Sequence, residues 1–168
     1  MRLTYNAKGD DRLIGYADAD WANDKETRRS VTGYVFMYAG GPITWVNKTQ
    51  RTVALSSTEA EYMSISEAAR EATWLRLLLN DRNEKQKGSI VIYEDNQGAI
   101  ALNHNPEHHK RNKHIDGRYH YCREKVEHGE IQVTYLRTDM MIADALTKAL
   151  PAEKFCRFRD KLVTGAMS

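Results

Sequence analysis

The sequence predicts an α/β fold in which a mixed β-sheet is flanked by helices. Three observations indicate this. Segments with two-residue alternation come first, a long stretch with helical spacing of apolar residues follows, and two later apolar runs are separated by helical segments. An antiparallel meander followed by helix-separated strands is typical of such sheets. At 168 residues the chain is long enough for one domain with a substantial core and short for two.

The first half of the chain predicts a meander and a long helix. The first strand is LIGYADADW, in which positions 14, 16, 18 and 20 share one face. After a polar loop, GYVFMY, the turn AGGP and ITWV predict a β-hairpin, and RTVAL is expected to be a last element of the meander. Ser56 and Ser57 then open a helix that runs to about Leu79.

The second half predicts two more strands separated by helices. SIVIYED is the next strand, and it leads into a short helix from Gln97 to about Asn103. A basic helix follows, from about His114 to Glu127. IQVTYL is the fifth strand, and MIADALTKAL predicts a further helix. Beyond Pro151 we expect one or two amphipathic turns and a frayed end.

The composition favours an ordinary globular domain, with 41% hydrophobic and 29% charged residues. No apolar run approaches the roughly 18 to 20 residues needed to cross a bilayer. The first residues, MRLTYNAKGDD, lack the apolar centre of a signal peptide, so we expect no secretion. Cys122 and Cys156 are too few for a disulfide framework and lack zinc-ligand spacing, which favours reduced, intracellular thiols.

Two aspartates lie within the first predicted strand. Asp18 and Asp20 have apolar neighbours, and a buried aspartate is costly unless it is paired or binds a cation. A strand end that has already reached solvent would also account for them. Both lie on one face of the strand, so the alternation does not choose between them.

The long helix distinguishes two glutamates. Ser56 and Glu59 have the spacing of a capping box, which gives Glu59 a structural role. Glu61 begins an apolar stripe that continues through residues 65, 68, 72, 75 and 79, whereas the same steps from Glu59 lead to a more polar face. Glu61 is therefore expected to face the sheet. Thr58 and Glu61 also fit a capping box, so that alternative stays open.

Two more aspartates fall where strands end or helices begin. Asp95 follows the strand IVIYE, where an aspartate is a favoured N-cap, but Asn96 would cap the next helix equally well. Asp144 is expected one turn inside the last long helix, where Thr138 or Asp139 can serve as the cap. An acid in the first turn also interacts favourably with the helix dipole, so Asp144 has a structural explanation too.

Together these four carboxylates suit a hard-cation site. Phosphoryl chemistry needs oxygen ligands with several negative charges and no soft sulfur. The predicted set is Asp18, Glu61, Asp95 and Asp144, which would bind two Mg²⁺ ions about 4 Å apart, with Mn²⁺ able to substitute. Asp20 is a candidate for supporting these ligands from beside the site.

Several motifs resemble the ribonuclease H domain of copia-type LTR-retrotransposon Pol polyproteins. The matching stretches are GYADADWA, RRSVTGYVF, ITWVNKTQ, VALSSTEAEYMS, EATWLRLLL, YEDNQGAIAL, KHIDGRYHYCREKV and IADALTKAL. They span roughly Leu13 to Leu150 in the expected order. The resemblance implies a ribonuclease H-like fold, with a five-stranded mixed sheet whose first three strands are antiparallel. It divides the chain into a segment joining a polymerase region (1–12), the domain (13–150) and a C-terminal helix or tail (151–168).

The resemblance also implies a function. It selects Asp18 rather than Asp20, and matches Glu61, Asp95 and Asp144 to the metal ligands. The implied reaction is hydrolysis of the RNA strand of an RNA–DNA hybrid, leaving a 5′-phosphate and a 3′-hydroxyl. The implied partners are the hybrid and the reverse transcriptase polymerase region of the same polyprotein, without a membrane. The implied location is cytoplasmic, in a virus-like particle, with nuclear entry left open.

One departure from the family concerns proton transfer or product release. Cellular ribonucleases H generally carry a histidine in the loop before the last catalytic aspartate. The corresponding loop here, LRTDMMIAD, has none. Asp139 or Arg137 could substitute, or the step could be slower.

The predicted nucleic-acid contacts fall into two groups. The family analogy implies Ser57, Thr58 and Gln97. The basic residues expected to grip phosphates are Arg28, Arg29, Lys110, Arg111, Lys113 and Arg118. All six histidines lie between positions 104 and 128, among several of these basic residues. This stretch is expected to form a phosphate-binding surface. Two alternatives are a solvated basic helix and a zinc site at His104 and His108.

A structural domain and a strand transferase are alternative functions for a chain of this kind. A ribonuclease H fold that only holds the hybrid for a reverse transcriptase would be expected to have lost carboxylates, and all four are present. An integrase-like strand transferase lacks support, because Glu61 follows directly after the hairpin strands. The tryptophans Trp21, Trp45 and Trp74 are expected in the core rather than as base-stacking platforms.

Overall fold

The computed structural model describes residues 3–5, 11–104 and 116–164, and at 104, 116, 118, 119 and 164 it describes the backbone alone. Five strands form one sheet: β1 (Ile14–Asp20), β2 (Val31–Tyr38), β3 (Gly41–Thr49), β4 (Ile90–Glu94) and β5 (Ile131–Tyr135). The helices are α1 (Ser57–Asp81), α2 (Gln97–His104), α3 (Asp116–Glu127), α4 (Asp144–Thr147) and α5 (Ala152–Thr164). A short 3₁₀ turn, Thr138–Met140, precedes α4.

The sheet is mixed, with strand order β3-β2-β1-β4-β5. β1 pairs antiparallel with β2, and β2 pairs antiparallel with β3. β4 is parallel to both β1 and β5. The predicted fold class is therefore confirmed. Because β1 and β4 run in the same direction, their carboxyl ends meet at one edge of the sheet.

Helices cover both faces of the sheet. On one face α1, α2 and α3 pack over a core that includes Ala17, Phe36, Tyr62 and Ile92. On the other face α4 and α5 cover a smaller cluster. Strand alternation sends neighbouring residues of β1 to opposite faces, which explains why Ala17 belongs to the first core and the cluster under α5 contains Tyr16.

Three predicted elements were wrong in extent. RTVAL is not a strand, because the meander ends with β3 and the chain runs irregularly to α1. Of the ten-residue helix predicted over MIADALTKAL, only the four-residue α4 forms, because Lys148 is extended and Pro151 follows shortly after. The C-terminal segment is a full 13-residue helix, and the burial of its Phe158 accounts for that length.

The tryptophans are not in the core, contrary to expectation. Trp21, Trp45 and Trp74 are 46%, 55% and 54% exposed. Trp45 lies on the edge strand β3, and Trp74 lies on the outer side of α1. Trp21 follows β1, where its indole Nε1 donates a hydrogen bond to the carbonyl of Ala54 over 3.2 Å. In the described part of the chain, no helix has the length and apolar character that crossing a membrane requires.

Candidate active site

Three of the four predicted carboxylates converge where β1 and β4 end. Asp18 lies near the end of β1, Asp95 directly follows β4, and Glu61 is in the second turn of α1. One carboxylate oxygen from each of these residues lies within 4.8 Å of the other two. Asp18 is fully buried, Glu61 is 7% exposed and Asp95 is half-buried. The site therefore opens to solvent on the Asp95 side.

The start of α1 explains the position of Glu61. Ser56 Oγ accepts a hydrogen bond from the Glu59 backbone N–H over 3.1 Å, and Glu59 Oε2 accepts one from the Leu55 N–H over 2.7 Å. The cap is thus made by Ser56 and Glu59, as predicted, and Glu61 is not required for it. Ser64, one turn on, donates to the Asp18 carbonyl over 2.8 Å and so holds α1 against β1.

The two glutamates differ in their contacts but not in their burial. Glu59 was expected on a more solvated face, yet it is 7% exposed, as Glu61 is. Every residue from Glu59 to Ser66 is buried, because Tyr62 and Ile65 belong to the main core and Ala60 and Met63 pack with Ala54, from the segment before α1. The difference between the glutamates lies in their contacts: the Glu59 carboxylate caps the helix, and the Glu61 carboxylate points to Asp18 and Asp95.

The structure also distinguishes Asp18 from Asp20 in β1, and Asp95 from Asn96 after β4. Asp20 is partly exposed, accepts a hydrogen bond from Asn23 Nδ2 over 2.5 Å, and is not in the cluster of described carboxylates. Its supporting role stays a prediction. Asn96 Oδ1 accepts from the Ala99 N–H over 3.0 Å and so caps α2, as the sequence allowed. Asp95 is thereby left to the cluster.

Asp144 lies beside this cluster rather than within it. It is the first residue of α4, not one turn inside a long helix, and neither Thr138 nor Asp139 caps it, because those residues form a separate 3₁₀ turn. Its side chain is almost completely buried. Gly33, the partner of Asp18 in the β1–β2 pairing, lets α4 approach the sheet closely. A Cβ at Gly33 would lie 2.5 Å from Thr147 Cγ2.

Two lysines that the sequence analysis did not identify bind these aspartates. Lys148 Nζ lies 3.3 Å from Asp18 Oδ1 and 3.0 Å from Asp144 Oδ1, so one ammonium group bridges both carboxylates. Lys154, from α5, contacts Asp144 Oδ2 over 2.5 Å. Thr147 Oγ1 also donates a hydrogen bond to Asp18 Oδ2. The i+4 spacing of Lys148 from Asp144 could have indicated an ion pair, whereas nothing in the local sequence connects Lys154 with the site.

A fifth carboxylate, also unanticipated, lies beneath the cluster. Glu94 is fully buried on the same face of β4 as Ile90 and Ile92. Its Oε1 accepts from the Asn96 N–H over 3.0 Å, and its Oε2 has no hydrogen-bond partner among the described residues. The strand alternation could have identified this inward position. Burial raises the pKa of Glu94 well above its usual value, and repulsion from Asp95 and Asp18 adds to the rise.

The electrostatics of the cluster disfavour its full ionisation. Burial is the largest influence on Asp18 and raises the pKa of its carboxyl from 3.8 to about 6. Lys148 and Thr147 counteract part of that rise. Burial, followed by repulsion from Glu94 and Asp18, raises the pKa of Glu61 far above its usual range. Burial works to lower the pKa of the Lys148 ammonium, but its contacts with Asp18 and Asp144 outweigh burial and raise the pKa above 10.5.

This donor set fits a divalent cation. The converging ligands are carboxylate oxygens, which hard cations such as Mg²⁺, Mn²⁺ and Ca²⁺ prefer. The buried Glu61 Oε2 has no hydrogen-bond partner among the described residues, and the nearby negative charges repel one another. A cation would provide that partner and offset the repulsion. Asp18, Glu61 and Asp95 could hold it directly, whereas the part of Asp144 in metal binding stays a prediction, because both of its carboxylate oxygens contact lysines.

The predicted nucleic-acid contacts that the structure describes surround this end of the sheet. Ser57 and Gln97 are exposed at the starts of α1 and α2, and Thr58 is partly exposed between them. Arg28 and Arg29 are exposed in the loop that joins β1 to β2 at the same end. Lys110, Arg111 and Lys113, together with the His104/His108 zinc alternative, lie outside the described residues or side chains, as does the side chain of Arg118.

The residues considered as substitutes for the loop histidine have other contacts. Arg137 Nε and Nη2 donate to the two carboxylate oxygens of Asp139 over 3.1 and 3.2 Å. Arg157 of α5 also donates to the Asp139 carbonyl over 2.6 Å. The two side chains are therefore exposed and paired with one another. Their substitution for the histidine stays a prediction.

Sequence comparison relates the chain to segments of transposon polyproteins. It is 46% identical over 143 residues to the retrovirus-related Pol polyprotein from transposon TNT 1-94 of Nicotiana tabacum, covering 85% of this chain and 11% of that protein. It is 41% identical over 150 residues to the corresponding polyprotein from transposon RE1 of Arabidopsis thaliana, covering 89% and 10%. The chain thus spans about a tenth of the length of these relatives. No family model matches it.

Structure comparison identifies the fold. Ribonuclease H1 from the archaeon Halobacterium salinarum NRC-1 gives a TM-score of 0.56 at 16% identity, over 81% of this chain and 94% of that one. The LC11 ribonuclease H1 in complex with an RNA/DNA hybrid also gives 0.56, at 10% identity over the same shares. The foamy viral protease-reverse transcriptase in complex with an RNA/DNA hybrid gives 0.58 at 12% identity, over 88% and 22%. The chain is therefore a ribonuclease H-fold domain related to the Pol polyproteins of plant retrotransposons.

Proposed function

We propose that this chain hydrolyses the RNA strand of RNA–DNA hybrids, leaving a 5′-phosphate and a 3′-hydroxyl. The observation that carries the proposal is the convergence of Asp18, Glu61 and Asp95 within 4.8 Å at the end of a ribonuclease H fold. Solved structures with this fold include complexes with RNA/DNA hybrid. The relatives are Pol polyproteins, which connects the activity with reverse transcription.

The proposed cofactor is Mg²⁺, as two ions, with Mn²⁺ able to substitute. Asp18, Glu61, Asp95 and Asp144 would hold them through carboxylate oxygens. When bound, such ions lower the pKa of a water molecule and stabilise negative charge on a phosphate that undergoes substitution. Carboxylates held on β1, α1 and the end of β4 are well suited to this, because packed secondary structure fixes their spacing before the substrate arrives.

The chain's own residues position the substrate and the ligands. Thr147 and Ser64 hold Asp18 from two sides, through its carboxylate and its carbonyl. Asn96 caps α2 and so fixes the direction of the chain after Asp95. The hydroxyl and amide groups at the starts of α1 and α2 would contact the sugar-phosphate backbone and the 2′-hydroxyls that distinguish RNA from DNA.

The basic loop residues extend this surface. Arg28 and Arg29 are exposed beside the site and suit contacts with phosphates of the duplex. In the polyprotein, the polymerase region is the proposed partner that delivers the hybrid. The proposed setting is reverse transcription in a cytoplasmic virus-like particle.

A cleavage assay tests the proposal. The purified chain is incubated with a labelled RNA–DNA hybrid and Mg²⁺, beside duplex RNA and duplex DNA of the same sequence. We expect cleavage of the RNA strand in the hybrid alone, with at least a ~100-fold lower rate for Asp95→Asn, since that factor corresponds to only ~2.7 kcal/mol of barrier. Asp81→Asn is the matched control, because Asp81 carries the same charge at the far end of α1.

Two outcomes count against the enzymatic proposal. Equal cleavage by the parent and Asp95→Asn would show that the activity comes from elsewhere. Hybrid binding without cleavage, in Mg²⁺ and in Mn²⁺, would instead favour a domain that positions the hybrid for the polymerase.

A further inference from the structure

We propose that Lys148 is an internal counter-cation of the carboxylate site, which a divalent ion must displace, so that this lysine sets the metal concentration at which the site fills. This inference rests on the proposed function, because it takes the carboxylates to be metal ligands. It adds a residue to which neither the motifs nor the family resemblance gave a role.

The geometry places the Lys148 ammonium between two of the ligands. Its Nζ lies 3.3 Å from Asp18 Oδ1 and 3.0 Å from Asp144 Oδ1, and both carboxylates are almost completely buried. The lysine side chain itself is 33% exposed. The partly exposed ammonium therefore already occupies the space between the two carboxylates, where a bound cation would have to take its place.

The backbone holds Lys148 in this place. Its N–H donates to the Asp144 carbonyl over 3.2 Å at the end of α4, and its own conformation is extended. The close packing of α4 on Gly33 fixes that helix against β2. The Lys148 side chain therefore extends to the two aspartates from a backbone position that the packing of α4 fixes.

Lys154 supplies a useful contrast. It contacts Asp144 alone and uses Oδ2, the oxygen that Lys148 does not contact. Its ammonium also lies 5.2 Å from the centre of the Phe158 ring, which holds it on the α5 side. Lys154 can thus keep its contact when the Oδ1 atoms of Asp18 and Asp144 change partner, whereas Lys148 cannot.

The charges predict the direction of the effect. A divalent ion held by Asp18 and Asp144 would replace a contact that already offsets their repulsion, and an ammonium left in place would repel it. The described groups facing Lys148 carry negative charge on Asp18 and Asp144, with Glu61 and Asp95 behind them. Removing the lysine charge therefore strengthens the attraction for a metal ion.

Metal binding without nucleic acid tests the proposal. Mg²⁺ and Mn²⁺ are titrated calorimetrically into the parent chain, Lys148→Met and Lys148→Arg at pH 8.5. We expect Lys148→Met to bind Mn²⁺ about tenfold more tightly or better, equivalent to ~1.4 kcal/mol. Lys148→Arg should stay near the parent because it keeps the charge. Lys125→Met is the control, since Lys125 pairs with Glu130 at the opposite end of the sheet.

A second measurement uses the parent chain and does not depend on whether a variant folds. The ¹⁵N-labelled ammonium of Lys148 should give a protected NMR signal in EDTA, because two carboxylates hold it. Saturating Mg²⁺ should shift or abolish that signal and leave the Lys125 signal unchanged. A Lys148 signal that persists unchanged at metal saturation would overturn the proposal.

The outcomes separate this inference from the proposed function. If neither the parent nor Lys148→Met binds a divalent ion, the metal site and the inference both fail. If the parent binds and Lys148→Met binds equally or more weakly, only the role of Lys148 is refuted. Tighter binding by Lys148→Met supports both.

Discussion

Replacement of Asp18 by asparagine is predicted to stabilise the metal-free protein at neutral and alkaline pH. The carboxylate is fully buried beside Glu61 and Asp95, and its ionisation is opposed by burial and by the neighbouring acids. Asparagine resembles the protonated acid in size, and its carbonyl can still accept the hydrogen bond from Thr147. The variant loses the ion pair with Lys148, but the raised pKa of Asp18 already includes that favourable contact.

The pKa gives the magnitude and the sign. A carboxyl whose pKa is 3.8 in the unfolded chain and about 6 in the folded protein costs the folded state about 3 kcal/mol when it is fully ionised. Below pH 3.8 the folded protein does not bear this cost. Its stability then falls by that amount as the pH rises to about 6. Asp18→Asn does not suffer this loss. The variant should therefore gain stability relative to the parent across this window and keep its advantage above it.

Urea unfolding in EDTA at pH 4 and pH 8 measures the difference. We expect Asp18→Asn to exceed the parent by roughly 2 to 3 kcal/mol more at pH 8 than at pH 4, and Asp20→Asn to show much less change. Mg²⁺ should reverse the order at pH 8, because a bound ion stabilises only the protein that binds it. A variant that is less stable than the parent at pH 8 in EDTA, or a difference independent of pH, would refute the reasoning.

Two further predictions concern the packing that places Asp144 and its lysines. Gly33→Ala should destabilise the protein by about 1 to 3 kcal/mol and weaken metal binding, because the new Cβ would lie 2.5 Å from Thr147 Cγ2. Gly117→Ala, where nothing lies within 4 Å of the new Cβ, should instead stabilise the protein by up to ~1 kcal/mol. Urea unfolding measures both effects. Phe158→Ala should cost about 3 to 5 kcal/mol, because the ring is fully buried under α5, whereas Phe155→Ala on the exposed side should cost under ~1 kcal/mol. Equal effects within either pair of variants would show that α4 and α5 do not pack as described.

The sequence predicted the parts of the site that local patterns encode. The alternation in LIGYADADW marked β1, and the Ser56/Glu59 spacing marked the start of α1. The strand and helix order gave a mixed sheet, which brings the ends of β1 and β4 together. Asn96 was a sufficient cap for α2, so Asp95 could be assigned to the cluster before its position was known.

The remaining features depend on contacts between distant parts of the chain. The helical spacing placed Glu59 on a polar face, but the segment before α1 packs on this part of the helix, where the Leu55 N–H donates to the Glu59 carboxylate. MIADALTKAL has helical periodicity, yet the chain leaves the helix at Lys148, whose side chain binds Asp18 of the distant strand β1. The contact between Lys154 and Asp144 requires α5 to fold back over β3, which no local pattern specifies.

The matched glutamates of α1 test the central claim most directly. Glu61 and Glu59 are two residues apart, equally buried and alike in charge, but only Glu61 belongs to the carboxylate cluster. The measurement is the initial rate of RNA-strand cleavage in an RNA–DNA hybrid with saturating Mg²⁺, for Glu61→Gln and Glu59→Gln after both are shown to fold. We predict at least a ~100-fold loss for Glu61→Gln and a rate within a few-fold of the parent for Glu59→Gln, whose amide oxygen can still accept from the Leu55 N–H. Equal rates for the two variants, or the greater loss for Glu59→Gln, would contradict the assignment of the site.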